Sequence, residues 1–175
     1  MKKRQIIHLD FEIDKLTNSI VNTFTGDSFE TEITRLTKAD LKTVTKKIGW
    51  SFNWTQELKQ NDRDVYKLTI VSNPTVIQGL ISFTVRTDNV FMHLVESAPF
   101  NIGRNKIYEG VPGNLVAFAC KTSFNHGLQG FVSFVSKTKL IDRYIKSLGA
   151  YHFGGHLMVI TTDPAQILVD KYFKE

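Results

Sequence analysis

Gly110–Val111–Pro112–Gly113–Asn114 sets two glycines just before an apolar helical pattern, Leu115, Val116, Phe118, Ala119 and Phe124. The strand-like run Val90–Phe91–Met92–His93–Leu94–Val95 precedes them. Glycines let backbone N–H groups approach a ligand closely, and a helix start adds unpaired donors and a positive dipole end. Strand, glycine loop and helix in that order form an anion site, and its natural guest is a phosphate or pyrophosphate. A pair of glycines alone more often marks a tight connection.

Charge around the loop strengthens the first reading. Residues 101–150 carry Arg104, Lys106, Lys121, Lys137, Lys139, Arg143 and Lys146 against only Glu109 and Asp142, so the whole net charge of +5 resides there. Such an excess suits a phosphorylated ligand or an RNA backbone, and it equally fits a solvated basic face.

Other reactive residue types are less suggestive. Trp50 and Trp54 alternate with Phe52 in a polar neighbourhood. They are candidates for a substrate wall, although packing beneath a loop is the commoner use of large aromatics. His152 and His156 lie four apart in an expected strand, but no third ligand follows at metal spacing, so no metal is expected. Cys120 sits in an apolar helix and reads as core. As the single cysteine it excludes an internal disulfide. Neither a Gly-x-Ser-x-Gly elbow nor a Walker loop is present.

Periodicity gives the framework around these groups. His8–Ile13 alternates as a short strand does, and Asp14–Ile20 continues as a turn or short helix. Thr25–Ser28 is a turn, and the next run, with Phe29, Thr31, Ile33 and Arg35 on one side, is a strand. Thr37 with Asp40 three residues on predicts a capped helix with Leu41, Val44 and Ile48 inward, closed by Gly49. Val65–Ser72, Val76–Arg86 and Val90–Val95 are strands, the last two joined by a hairpin at Thr87–Asn89. A long loop from Ser97 to Gly110 leads to the helix from Asn114, which ends near Gly127. Gly130–Val135 is a central strand. Thr138 caps a helix with Leu140, Ile141, Tyr144, Ile145 and Leu148, stopped by Gly149. Tyr151–Ile160 is a strand, and Asp163–Pro164 opens a last helix with Ile167, Leu168 and Phe173 inward. The order is β–α–β–β–β–α–β–α–β–α after an N-terminal appendage, which implies a mixed sheet with a parallel crossover.

At 175 residues with 42% hydrophobic content, the chain suits one domain. That domain divides into an appendage (1–27), a core (28–162) and a C-terminal helix (163–175). No run reaches membrane-span length. The basic start Met1–Lys2–Lys3–Arg4 is not followed by a secretory apolar stretch, so a cytoplasmic protein is expected.

This order, with FMHLVE, YEGVPGN, LVAFACKTSF, GFVSFV, TKLIDRYIKSLGA and YHFGGHLMVI as landmarks, resembles the GNAT superfamily of N-acetyltransferases with a divergent cofactor loop. The resemblance covers about 28–162 as topology and 90–150 as motif. It implies an α/β fold in which an antiparallel meander precedes β-α-β-α-β and the central strand pair is splayed. It also implies acetyl-CoA as co-substrate and transfer of acetyl to a primary amine by direct attack on the thioester.

On that resemblance, Gly110, Val111, Gly113 and Asn114 offer N–H groups to the pyrophosphate, while Arg104, Lys106, Lys137 and Lys139 meet outer phosphates. Leu94 or Val95 polarises the thioester carbonyl. Glu96, near Phe91, Leu94 and Phe100, is the candidate base, or else a strand-end carboxylate facing water. Tyr144 is the candidate acid for the leaving thiolate, or else a packed helical residue. Trp50, Trp54 and Phe100 are placed near the acceptor. Three readings compete: a small-molecule acetyltransferase, a toxin-like enzyme acting on aminoacyl-tRNA with an antitoxin-like partner, and a non-catalytic binding module. A homodimer is compatible with each.

Overall fold

The computed structural model describes residues 6–173; the basic run Lys2–Arg4 lies outside the described residues. The strands are β1 (Ile20–Asn22), β2 (Ser28–Phe29), β3 (Thr31–Arg35), β4 (Asp64–Ile70), β5 (Asn73–Val85), β6 (Val90–Ser97), β7 (Tyr108–Glu109), β8 (Val132–Val135), β9 (Tyr151–His152) and β10 (Leu157–Ile160). The helices are α1 (Trp54–Leu58), α2 (Val111–Asn125), α3 (Ile141–Leu148) and α4 (Thr162–Tyr172). Seven strands form one mixed sheet in the order β3-β4-β5-β6-β8-β10-β9, and β2-β1-β7 form a small second sheet. β3 to β6 run as an antiparallel meander, as alternation in the sequence implies, and β6 pairs with β8 in parallel.

That parallel pairing is short. Val90 faces Val132 and Phe91 faces Ser133, after which the two strands part although β6 continues to Ser97. The cause lies on the other edge of β6. Ser82 of β5 stands opposite Leu94 while Phe83 stands opposite Met92, so His93 is an extra residue, a β-bulge. A bulge bends its strand and adds twist. Here it turns the end of β6 away from β8 immediately after the last paired residues.

The core lies between the sheet and its helices. α2 packs on β5, β6 and α4, and Phe118 meets Tyr66 and Phe83 there at ring distances of 4.8 and 6.0 Å. A second aromatic group joins Phe134 of β8, Tyr144 of α3 and Phe11. The stretch before residue 28 is therefore integral to the core: Leu9, Phe11 and Ile20 are buried.

Several expected elements differ. The Thr37–Asp40 capping exchange forms, with the Thr37 amide donating to Asp40 at 2.8 Å and the Asp40 amide to the Thr37 hydroxyl at 3.3 Å. The expected helix behind it is only a 3₁₀ turn, Ala39–Thr43. The β-branched run Thr43–Val44–Thr45 disfavours continuation, and Ile48 is exposed rather than inward. Tyr151–Ile160 is a hairpin, not one strand, because Gly154 and Gly155 take positive φ and turn the chain. His152 and His156 thus do not share one strand. α1 was not legible: it is five residues long, capped by the Asn53 side chain on the Gln56 amide. Thr138 heads a 3₁₀ turn before α3 and makes no side-chain cap. α4 starts one residue ahead of Asp163–Pro164, with Thr161 at the N-cap position but making no side-chain cap, and Ile167 is exposed while Leu168 is buried.

Candidate functional site

The opening between β6 and β8 is the centre of the site. It holds part of the chain itself. The Leu9 amide donates to the Val135 carbonyl at 2.6 Å, and the Lys137 amide donates to the Leu9 carbonyl at 2.9 Å. Leu9 thus stands opposite Ser136 as a parallel bridge. Continuing the Val90–Val132 register would place Leu94 opposite Ser136. Leu9 occupies the place that β6 vacates, so the expected strand at His8–Ile13 is a single bridge wedged into the splay.

Residues 10–14 then run toward α2 with charges on alternate positions. Asp10 pairs with Lys137 at 2.5 Å, Glu12 with Arg143 at 3.2 Å and Asp14 with Lys106 at 3.2 Å. Between them Phe11 packs inward against Tyr144 and Phe134. The segment presents an apolar edge to the core and an acidic edge to the basic rim.

α2 begins at Val111, three residues before the expected Asn114, because Gly110 at φ +90° serves as N-cap. A side chain at Gly110 would collide with Thr17 and with the Ser19 carbonyl, so this position requires glycine. The Gly110 amide donates to Asp14 at 3.2 Å, which puts a carboxylate at the helix tip where an anion is favoured. The intrahelical ladder starts at Asn114, whose amide donates to the Gly110 carbonyl. Val111 and Gly113 therefore keep N–H groups without an acceptor inside the helix, and Pro112 has none. Asn114 is removed from the expected donors: its amide is spent in the helix and its side chain is buried on Thr31 at 3.0 Å. Tyr172 of α4 covers Gly113 and accepts the Thr17 amide at 3.1 Å.

The carboxylate of Glu96 lies near the end of β6, nearly buried at the cavity wall. It accepts from the Ser51 amide at 2.6 Å, the Phe52 amide at 3.3 Å and the Trp54 indole at 2.8 Å. Trp50 and Trp54 are buried beneath that loop, so Ser51 and Phe52 form the wall in their place. Phe100 is exposed in the 3₁₀ turn Pro99–Asn101 and does not line the cavity beside the wedge. Asn101 tethers the long loop by donating to Gln78 and accepting the Tyr108 amide. Tyr144 is fully enclosed, and its hydroxyl donates to the Phe11 carbonyl at 2.5 Å. Burial, reinforced by the Asp10 and Glu12 charges, drives its phenol far above the ordinary range. Burial does the same to the Cys120 thiol, which is core.

A cavity of about 290 Å³ remains beside the wedge. Asp10, Phe11, Glu12 and Asp14 line one side, Val95, Glu96 and Ser97 the other, with Lys106 and Pro112 at the helix tip. Arg104 follows Gly103 on the rim loop. Leu94, Gly110, Lys137 and Lys139 do not line the cavity, although Lys137 borders the wedge through Asp10 and Leu9. Among the described residues no group of three or more His, Cys, Asp or Glu is placed to hold a metal, and no helix is long and apolar enough to cross a membrane. The sequence reading missed the wedge. Its signal was the alternation Leu9–Asp10–Phe11–Glu12–Ile13–Asp14, three acids on one edge.

No family model and no curated protein matches the sequence. Solved structures do match in shape. A spermidine N-acetyltransferase from Vibrio cholerae, in complex with CoA and spermine, aligns at TM-score 0.56 and 12% identity over 78% of this chain and 98% of that one. A mutant AtaT toxin, bound to the C-terminus of the antitoxin AtaR and acetyl-CoA, aligns at TM-score 0.55 and 16% identity over 79% and 98%. An alanine N-acetyltransferase of a ribosomal protein from Escherichia coli aligns at TM-score 0.50 and 11% identity over 74% and 90%. The mixed sheet, its parted parallel pair and these likenesses together identify the architecture as that of the GNAT N-acetyltransferases.

Proposed function

We propose that the chain is an N-acetyltransferase that uses acetyl-CoA and passes the acetyl group to a primary amine by direct attack on the thioester. The observation that carries this reading is the parting of β6 from β8 beyond Phe91 and Ser133, at the end of the sheet where α2 begins. Ligands of open α/β sheets bind outside the carboxyl ends of the strands, at such openings. The co-substrate would supply an activated acyl group on a sulfur leaving group.

The chain's own groups fit that chemistry in named roles. The N–H groups of Gly110, Val111 and Gly113 hold the pyrophosphate. Arg104, Lys106, Lys137 and Lys139 meet the outer phosphates. The N–H of Leu94 or Val95, on the stretch of β6 that has left β8, donates to the oxygen that gains charge during attack. Glu96 takes the amine proton directly or through water. Three hydrogen bonds already fix its position, and a carboxylate has about four lone-pair sites, so one remains for the amine. Tyr144 returns a proton to the leaving thiolate, which requires its hydroxyl to leave Phe11.

A specific observation favours a second reading, the non-catalytic GNAT-shaped module. The helix tip already carries Asp14, and three of the seven basic residues in 101–150 are paired with the chain's own acids. The deciding experiment is thiol release from acetyl-CoA in the presence of pooled small amines and, separately, aminoacyl-tRNA. The second acceptor is included because the net charge is +5 and one structural neighbour is a toxin. Release that depends on both protein and acceptor supports the enzyme. No release in either pool, together with no effect of acetyl-CoA on the melting temperature, supports the module.

A further inference from the structure

We propose that residues 8–14 are an autoinhibitory strap, an internal competitor for the phosphate-bearing ligand of this cleft, and that the ligand binds only when the strap has lifted. The identity of that ligand as CoA rests on the reading above; the strap rests on its own contacts.

Three contacts reproduce what a pantetheine-bearing diphosphate would need. The Leu9 backbone bonds to Val135 and Lys137 along the edge of β8 that β6 has released. The Asp14 carboxylate takes the Gly110 amide at the tip of α2. Asp10, Glu12 and Asp14 together neutralise Lys137, Arg143 and Lys106, basic side chains around the opening. The Asp10–Lys137 and Glu12–Arg143 pairs are largely exposed and contribute little to stability, so fold maintenance does not account for these two, while the mostly buried Asp14–Lys106 pair sits at the tip of α2. The space left beside the strap, about 290 Å³, is at the bottom of the range for small ligands and far too small for a dinucleotide-sized guest.

The strap also has a natural pivot. Beyond Asp14 the chain is fixed again at Leu16, which packs against the core beside Gly113, and at Thr17, whose amide is held by Tyr172 and whose hydroxyl donates to the Ser19 carbonyl. Only the exposed Lys15 lies between, and it is the point about which residues 8–14 would swing. Lifting takes Leu9 and Phe11 out of the core, with Ile13 that packs on it, and breaks the ring contacts of Phe11 with Phe134 and Tyr144, so the open form is the minor one and apparent affinity falls by its fraction. The same movement frees the Tyr144 hydroxyl from Phe11 and uncovers Lys106, so one displacement both empties the site and arms it.

The test uses the full chain and two variants, Asp14→Asn alone and Asp10→Asn with Glu12→Gln and Asp14→Asn. Calorimetric titration is run with CoA and, separately, inorganic pyrophosphate, and amide exchange is followed at Leu9, Gly110 and Lys137. The triple variant is expected to bind CoA about tenfold more tightly than the parent, and the single variant about threefold. Saturating CoA is expected to speed exchange at Leu9 and Lys137 in the parent. Equal affinities with unchanged exchange overturn the strap, since the ligand then binds beside it. Tighter pyrophosphate binding by the variants with no added affinity for CoA keeps the strap and overturns the acyl-donor reading. Failure of both ligands to bind any of the three proteins overturns both.

Discussion

The hydroxyl of Tyr144 donates to the carbonyl of Phe11 at 2.5 Å, with the two rings 4.8 Å apart. One hydrogen bond thereby ties α3 to the segment that fills the opening between β6 and β8. Tyr144→Phe keeps the ring packing but leaves the Phe11 carbonyl without this donor. It is expected to cost about 1–2 kcal/mol in urea unfolding, the usual penalty for an unsatisfied buried acceptor. A variant that unfolds at the parent midpoint would show that the bond carries no weight.

Glu96 joins β6 to the Ser51–Trp54 wall through three accepted hydrogen bonds. Glu96→Gln replaces one acceptor oxygen with a donor and removes the charge that strengthens all three. The expected loss is roughly 2–4 kcal/mol by chemical denaturation, with tryptophan emission reporting a looser environment for Trp54. If the variant keeps its stability and loses only turnover, the carboxylate works as a base and not as an anchor.

Alkaline pH tests the lid over the tip of α2. Burial pushes the Tyr172 phenol up to about 12, with the Asp14 charge adding to the shift and the hydrogen bond from Thr17 opposing it. The folded value lies above the unfolded one, so stability is intact below about pH 10 and is lost as pH rises through about 12. Between about pH 9 and about pH 12 the parent is expected to lose roughly 2–3 kcal/mol more than Tyr172→Phe. Parallel pH profiles for the two proteins would place Tyr172 in contact with water.

Much of the framework was legible because its signals are local. The meander, the hairpin at Thr87–Asn89, the helix behind Gly110 and the Gly149 stop arise from periodicity and glycine chemistry. The splay was expected only by resemblance, because the bulge at His93 is a matter of register between two strands. The expected helix at 38–48 was lost to a β-branched run after a cap that did form. The strap was invisible for a different reason: its ion pairs join residues 92 to 131 positions apart, and no window along the chain contains both partners. Trp50 and Trp54 take the commoner of their two expected uses, packing beneath a loop. The partner of the Trp54 indole, the Glu96 carboxylate, lies more than forty residues downstream, beyond any local window.

Thermal unfolding of the full chain against increasing acetyl-CoA is the decisive measurement. A ligand held between β6 and β8 in the folded state must raise the midpoint, by the equivalent of about 2.7 kcal/mol at a hundred times its dissociation constant. The expected outcome is a rise that grows with concentration and is larger when Asp14 is replaced by Asn. A midpoint unmoved by millimolar acetyl-CoA in both proteins would contradict binding in the splay.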